Sequence, residues 1–515
     1  MTSLAAAARR AAPVFACIGL LAVWQVASLA LKNDSFPTAI EAIRAIPDIL
    51  GDKESLINIL ASLRRMAIGF GVAVLVSIPL GLLMGRSRAV AAFFNPLLMV
   101  IYPVPKAALM PIIMLWLGVG DITKTLVIFL GVSLPVIYHS FEGAQAVEEK
   151  MLWSGAAMGL SPLQRLVRIV LPAALPEILT GCRTGLVLAL ITMITSEMIA
   201  RQSGAGNILF NALDMGQYDT VFAMIIIVGA MGICLDAIFE HPRTAGALVR
   251  ASVRHAAELL MTSRLPSANV VLGLAPIVLV IAVWQGLVSF GFAPAVLLPP
   301  PGYVFSRLLQ QLVTWTFQQE SAATLIRLFA GFAIAVVLGV SIGIAAAANP
   351  AINAVVRPIV RVLAPLPKVA LYPALLLLLG FGHGSKITLV AADALFPILL
   401  STYYGASTVE QKLIWSAMAA GTSRYEILFK VVLPAAMPSI LTGCRIGLVI
   451  SCIVVFLAEM ITSTDGLGHV LVTAARTFQA VDMFVPLITI SLLGLILNGL
   501  LGAVRSYLLR GFPEA

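Results

Sequence analysis

Charge is what this sequence most lacks. Of its 515 residues 11% are Asp, Glu, Lys or Arg, against 60% apolar, and the mean hydropathy is +1.02. Soluble domains carry roughly 25% charged residues, so this chain cannot cover a water-exposed surface. Paired cysteines are lacking too. The five present (Cys17, Cys182, Cys234, Cys444, Cys452) form no CxxC and would leave one over as disulfides, so they read as small buried hydrophobes. The formal charge of +9 comes from basic residues scattered singly near the ends of apolar runs, which points to membrane topology and away from nucleic acid.

Reactive constellations are also missing. There is no HExxH and no GxSxG, and the histidines (His139, His241, His255, His383, His469) are too dispersed for a metal cluster. Two stretches superficially resemble phosphate loops, Gly118 to Thr125 and Gly380 to Ile387. Thr123 and Ser385 stand where glycine must precede Lys124 and Lys386, so the chain is not expected to bind ATP itself or to be an enzyme.

What is present is a duplication. Leu171 to Arg183 recurs 262 positions later as Leu433 to Arg445, with eleven of thirteen residues identical. The same offset relates Pro103-Val-Pro105-Lys106 to Pro365-Leu-Pro367-Lys368, Trp153-Ser154 to Trp415-Ser416, and Glu197-Met-Ile199 to Glu459-Met-Ile461. Six apolar runs fall in each half, so the expectation is an all-α integral membrane protein with about twelve spans. These form two parallel six-helix repeats, 1–262 and 263–515. Lys and Arg near the span ends place the termini, the 240–268 linker (Arg243, Arg250, Arg254, Arg264) and the loops after each fourth span in the cytoplasm. Arg64, Arg65 and Arg201 run against that bias.

The polar segments 142–172 and 404–434 have the form of short helical hairpins. Gly159 and Gly421 sit where a first helix stops, and Ser161 and Ser423 open capping boxes with Gln164 and Glu426. Leu171-Pro172 and Leu433-Pro434 are expected to end the second helix and turn the chain into the next span. Lys106 and Lys368 lie within proline-broken third spans, where a cation costs about 2.5 to 3.5 kcal/mol on insertion scales, and they are candidates to face a solute. Glu197 and Glu459, near the outer ends of the fifth spans, are candidates for the same pathway or for holding a loop. Asp236 and Asp393 have no acidic counterpart at the matching positions and receive no role.

The spacing Gly159, nine residues, Ile169, one residue, Leu171-Pro172, with its second copy from Gly421 to Pro434, resembles the EAA loop of ABC importer permeases. The Glu-Ala-Ala positions here hold Trp153-Ser154-Gly155 and Trp415-Ser416-Ala417, so tryptophan replaces both glutamates. With Pro105-Lys106, Trp116-x-Gly118, Thr180-Gly181-x-Arg183 and Glu197 followed by Gly204-x-Gly206, the chain resembles two fused permeases of the nitrate, taurine and aliphatic sulfonate importers. That resemblance implies a type I importer fold in the bacterial inner membrane and a small, anionic solute. It also implies two ATPase subunits docked on the loops, ATP and Mg held by those subunits, and an extracytoplasmic solute-binding protein. The alternative is a twelve-span secondary transporter of the major facilitator kind. Its Gly-x-x-x-Asp-Arg-type loop between the second and third spans is absent, with Gly85-Arg-Ser-Arg88 and Ala348-Asn-Pro-Ala351 in its place.

Overall fold

The computed structural model describes residues 2–238 and 270–509, and every regular element among them is helical. The expected tether with Arg243, Arg250, Arg254 and Arg264 lies outside the described residues, as do His241, His255 and Arg510.

The first half runs α1 (Thr2–Leu31), α2 (Ala39–Gly51), α3 (Lys53–Arg86), α4 (Arg88–Ile101), a 3-10 turn (Lys106–Leu109), α5 (Met110–Leu117) and α6 (Asp121–Gln145). It continues through α7 (Glu149–Ala157), α8 (Pro162–Arg165), a π turn (Leu166–Val170), α9 (Leu171–Ala200), α10 (Ala205–Asp214) and α11 (Tyr218–Ile238). The second half repeats the order as α12 (Val270–Ser289), α13 (Pro301–Leu312), α14 (Trp315–Ala348), α15 (Pro350–Leu363), a 3-10 turn (Lys368–Leu371), α16 (Tyr372–Leu379) and α17 (His383–Ser407). It closes with α18 (Gln411–Ala419), α19 (Arg424–Ile427), a π turn (Leu428–Val432), α20 (Leu433–Thr462), α21 (Leu467–Arg476) and α22 (Ala480–Leu508).

Among the described residues nine helices are long and apolar enough to cross a bilayer, and two further pairs, α4–α5 and α15–α16, bend by 82° and 87° at the proline breaks. Packing decides what those bent pairs are. Gly69 of α3 meets Ile128 of α6, Gly81 meets Ile137 and Ser140, and Gly85 meets Ala144. Both numbers rise together, so α3 and α6 run parallel and the chain must recross the membrane between residues 86 and 121. The bent pair is therefore a broken span and not a re-entrant loop. The same holds for α14 and α17, where Gly331 meets Val390 and Gly343 meets Thr402. With α12, whose 20 residues reach about 30 Å, twelve crossings result.

Each half is built on one three-helix sheaf, α3–α6–α9 or α14–α17–α20. Close approach is bought by glycine: a Cβ on Gly81 would lie 2.5 Å from the Ile137 carbonyl, and one on Gly343 would lie 2.8 Å from Thr402 Cβ. Outside the sheaves the halves exchange parts. α1 packs on α15 of the second half, and α12 packs on α4 of the first. The Trp116 indole donates to the Leu297 carbonyl at 2.7 Å, tying the connector after α12 to the first half. Short amphipathic α2 is fixed by a capping box in which Thr38 N–H donates to Glu41 at 2.7 Å. These bonds from the Thr38 backbone and side chain hold the Glu41 carboxyl below its ordinary range.

One expectation is corrected. The hairpin's second helix does not end at Leu171-Pro172, because α8, the π turn and α9 form one continuous helix from Pro162 to Ala200. The Leu171 amide bonds back to the Leu166 carbonyl, a five-residue reach that widens the helix just where Pro172 supplies no donor and needs room for its ring. Leu433 bonds to Leu428 in the same way beside Pro434. The Leu-Pro pair therefore welds the hairpin to the span.

Candidate functional site

The loop hairpins are the first candidate. Gly159 and Gly421 both adopt φ of +79°, and each leads a Schellman-type closure in which Leu160 N–H donates to Gly155 O and Thr422 N–H to Ala417 O, at 3.0 and 3.1 Å. Ser161 accepts from Gln164 N–H at 3.3 Å while its own N–H donates to Gln164 Oε1 at 2.9 Å. Ser423 and Glu426 repeat the box, and Lys430 clamps Glu426 at 2.9 Å. Gly155 is buried, since a Cβ there would lie 2.5 Å from Ile169 Cδ1; it seats α7 on the π turn, and Ala417 occupies the equivalent place. The Ser154 hydroxyl returns to the Lys150 carbonyl at 2.9 Å, and Ser416 is exposed at the matching position.

Trp153 and Trp415 are 64% and 61% exposed, among Met158, Leu163 and Val167 in one hairpin and Met418, Tyr425 and Phe429 in the other. The opposite ends of the halves touch each other through α5 with α21 and α10 with α16, so both hairpins project from the same remaining face. Two apolar faces of this kind, on polar loops outside the spans, are a docking surface in form.

The proline breaks are the second candidate. Lys106 opens the 3-10 turn and donates to the Ile101 and Tyr102 carbonyls, both at 2.7 Å. Lys368 donates to the Ala364 carbonyl at 2.8 Å, lies 3.9 Å from Asp393 and sits 4.6 Å from the centroid of the Phe396 ring. Each break leans on the other half: Gly232 of α11 faces Pro365 O and Pro367, and Gly494 of α22 faces Pro103. The repeat-related lysines thus stand at the seam between the halves. They differ in surroundings, however, and each spends donors on carbonyls that the break releases.

Glu197 and Glu459 occupy a third arrangement, whose arginine partners Arg65 and Arg327 the sequence did not single out. Both are fully buried. Glu197 accepts from Arg65 at 2.8 Å, from Ser62 at 2.7 Å and from the Gly206 amide at 3.1 Å, and Arg65 reaches on to Ser203 and Asp121. Glu459 accepts from Arg327 at 2.7 Å, from Thr324 at 2.9 Å and from the Gly468 amide at 3.1 Å. Arg327 also bonds Asp465 and donates to His383 Nδ1 at 3.1 Å. Burial pushes the Asp465 carboxyl up, but the Arg327 hydrogen bond and charge outweigh it and hold it below the usual range.

Gly204, at φ +113°, leaves room for the carboxylate, since a Cβ there would lie 2.1 Å from Glu197 Cδ; Gly466 repeats this at φ +101° and 2.3 Å. These cages leave the two carboxylates no open face. Buried and bonded in this way, the two carboxylates hold the outer turns at 200–206 and 462–468.

Lys124 and Lys386, the lysines of the false phosphate loops, are buried beside these cages. Lys124 donates to the Ser203 carbonyl at 3.0 Å and Lys386 to the Phe381 carbonyl at 2.6 Å. Arg65 and Arg327 are 262 positions apart, so the repeat itself was the signal that would have singled them out. Asp236 also gains a role: it holds Arg183 through two bonds of 2.6 Å.

Comparison with known proteins fits one half at a time. A taurine transport system permease protein of Escherichia coli (strain K12) is 33% identical over 222 residues, which are 42% of this chain and 80% of that protein. A nitrate import permease protein of Synechocystis sp. is 30% identical over 233 residues, 44% of this chain and 84% of that protein. A putative aliphatic sulfonates transport permease protein of Escherichia coli (strain K12) is 30% identical over 229 residues, 44% and 87% respectively. Residues 77–242 and 335–511 each match the family described as the binding-protein-dependent transport system inner membrane component. With two such domains, all-α and multi-pass, in one polypeptide, the chain belongs to that family of ABC transporter permeases.

Proposed function

We propose that this chain alone forms the translocation pathway of an ATP-driven importer for a small anionic solute. Two ATPase subunits dock beneath the hairpins in the cytoplasm, and a solute-binding protein delivers from the opposite face. The observation that carries this reading is the pair of tryptophan-bearing hairpins, each welded to its span through a π turn, so that a push on α7 or α18 is delivered along α9 or α20. The anionic class is supported by the relatives named for taurine, aliphatic sulfonates and nitrate, whose common feature is an oxyanion group, and by buried cations at the seam. Family membership leaves the secondary-transporter alternative without support.

The test is uptake into proteoliposomes holding the chain with its ATPase subunits, given taurine, methanesulfonate or nitrate together with the binding protein. ATP-dependent accumulation is expected. Accumulation driven by an ion gradient with the ATPase subunits absent would overturn the reading. In native mass spectrometry the minimal active complex should hold one copy of this chain and two ATPase subunits; two copies of the chain would refute the self-sufficient pathway. Trp153→Ala with Trp415→Ala should weaken ATPase copurification by about tenfold or more, the loss expected for buried aromatic anchors. Unaltered copurification would place the contact elsewhere.

A further inference from the structure

The two halves are not faithful copies around the broken spans, and their departures redistribute charge. The 262-residue offset pairs Lys106 with Lys368, Arg183 with Arg445, Asp236 with Asn498, Gly131 with Asp393 and Tyr102 with Ala364. The 3-10 turn carrying Lys368 packs on α9, which carries Arg183, and the turn carrying Lys106 packs on α20, which carries Arg445. Each broken span therefore leans on the arginine-bearing helix of the other half, giving two related stations at the seam.

At the first station both cations are neutralised. Arg183 is held by Asp236 through two bonds of 2.6 Å, and Lys368 stands 3.9 Å from Asp393. At the second station neither is. Arg445 is only 8% exposed, and its Nε donates to the neutral amide oxygen of Asn498 at 2.6 Å. Lys106 has the Ile101 and Tyr102 carbonyls, and the position matching Asp393 is Gly131, which supplies no carboxylate. No carboxylate among the described residues pairs with either cation. Tyr102 neighbours both, with Lys106 Nζ 5.8 Å from its ring centroid and Arg445 within electrostatic reach, and Arg505 adds a further positive charge near Arg445.

A buried arginine without a counter-ion is costly, and a charge left uncompensated inside a membrane is functional by default. We propose that the Lys106–Tyr102–Arg445 station receives the oxyanion head of the solute and that its counterpart at Lys368 and Arg183 does not, so that transport runs through a single one-sided site. This rests on the anion-import reading above. Arginine offers two parallel donors to a carboxylate or sulfonate, Lys106 supplies a second charge, and the Tyr102 ring bounds the pocket. At the first station Asp236 takes two guanidinium donors of Arg183, and the Asp393 carboxylate stands beside Lys368.

The test exchanges one neutraliser in each direction. Asn498→Asp gives Arg445 the partner that Arg183 already has; Asp236→Asn removes that partner. In proteoliposomes with ATPase subunits and binding protein, Asn498→Asp should slow taurine or methanesulfonate uptake by about tenfold or more, the loss of one charge-assisted contact. Asp236→Asn should stay near the parent rate. ATPase copurification separates transport loss from misassembly, and Arg445→Gln gives the same reading should Asn498→Asp fail to assemble. Normal uptake by an assembled Asn498→Asp chain, or equal loss in both exchanges, overturns the one-sided site and leaves the import reading standing. A parent protein that accumulates none of the oxyanions under ATP removes the import reading and this site with it.

Discussion

Arg327→Met should lower the stability of the detergent-solubilised protein more than any exposed substitution, by roughly 3–5 kcal/mol, the cost of leaving a buried carboxylate without its cation. Arg327 is 1% exposed and bonds the fully buried Glu459, the Asp465 side chain and the Asp465 carbonyl, so its loss strands several acceptors together. Adding Glu459→Gln should recover a large part of the loss, because the amide still accepts from Thr324 and no longer carries charge. Arg65→Met and Glu197→Gln should behave alike in the first half. Arg201, paired with Asp214 where both are well exposed, is the control, with an expected change of no more than about 1 kcal/mol. Thermal unfolding followed by tryptophan fluorescence reads all five. An Arg327→Met protein as stable as the Arg201→Ala control would show that the cage is not what holds the outer turn.

The largest functional loss is expected from Gly159→Val combined with Gly421→Val. At φ of +79° a side chain with a Cβ costs about 1–2 kcal/mol, and a β-branched one resists the conformation further. No neighbouring atom lies within 4 Å of a Cβ built at either glycine, so the effect is conformational and not a clash. Relieving the strain would swing α7 away from α8 and break the continuous path into the spans. The double variant should remain in the membrane, lose ATPase copurification and lose ATP-driven uptake. Asparagine tolerates the left-handed region, so Gly159→Asn with Gly421→Asn should retain much of both. Full activity in the valine pair would detach these loops from energy coupling.

The elements that were legible in the sequence are those written locally. Apolar periodicity marked the spans, Pro103, Pro105, Pro365 and Pro367 marked the breaks, and Gly159 with Ser161 marked the hairpin, each within a few residues of its partner. Leu171-Pro172 misled, because proline's usual meaning is a stop, and only the widened π turn shows how the helix continues past it. The cages were hidden by distance: Arg65 and Glu197 are separated by 132 residues, and Arg183 and Asp236 by 53. Arg65 had even counted against the orientation bias, whereas a buried, paired arginine has no bearing on a rule about loop charge. The charge difference between the stations was visible as two acids without counterparts, but only the packing of one half's turn on the other half's helix gives them a shared meaning.

The exchange of first helices has a mechanical consequence. Since α1 lies on α15 and α12 lies on α4, the two packed bodies do not coincide with the amino- and carboxyl-terminal halves of the polypeptide. Each half carries a borrowed helix, and the chain passes from one half to the other through the two connectors, residues 32–38 and 290–300. Lys32 and Gly291 already adopt positive φ there, and Trp116 anchors the second connector through Leu297. Separate expression of 1–262 and 263–515 would expose the seats of both borrowed helices, so the fragments should be recovered only when made together. Fusion into one chain then does more than keep two modules near each other: it fixes which copy lends its helix to which, and on the proposed one-sided site it also fixes which half supplies the arginine.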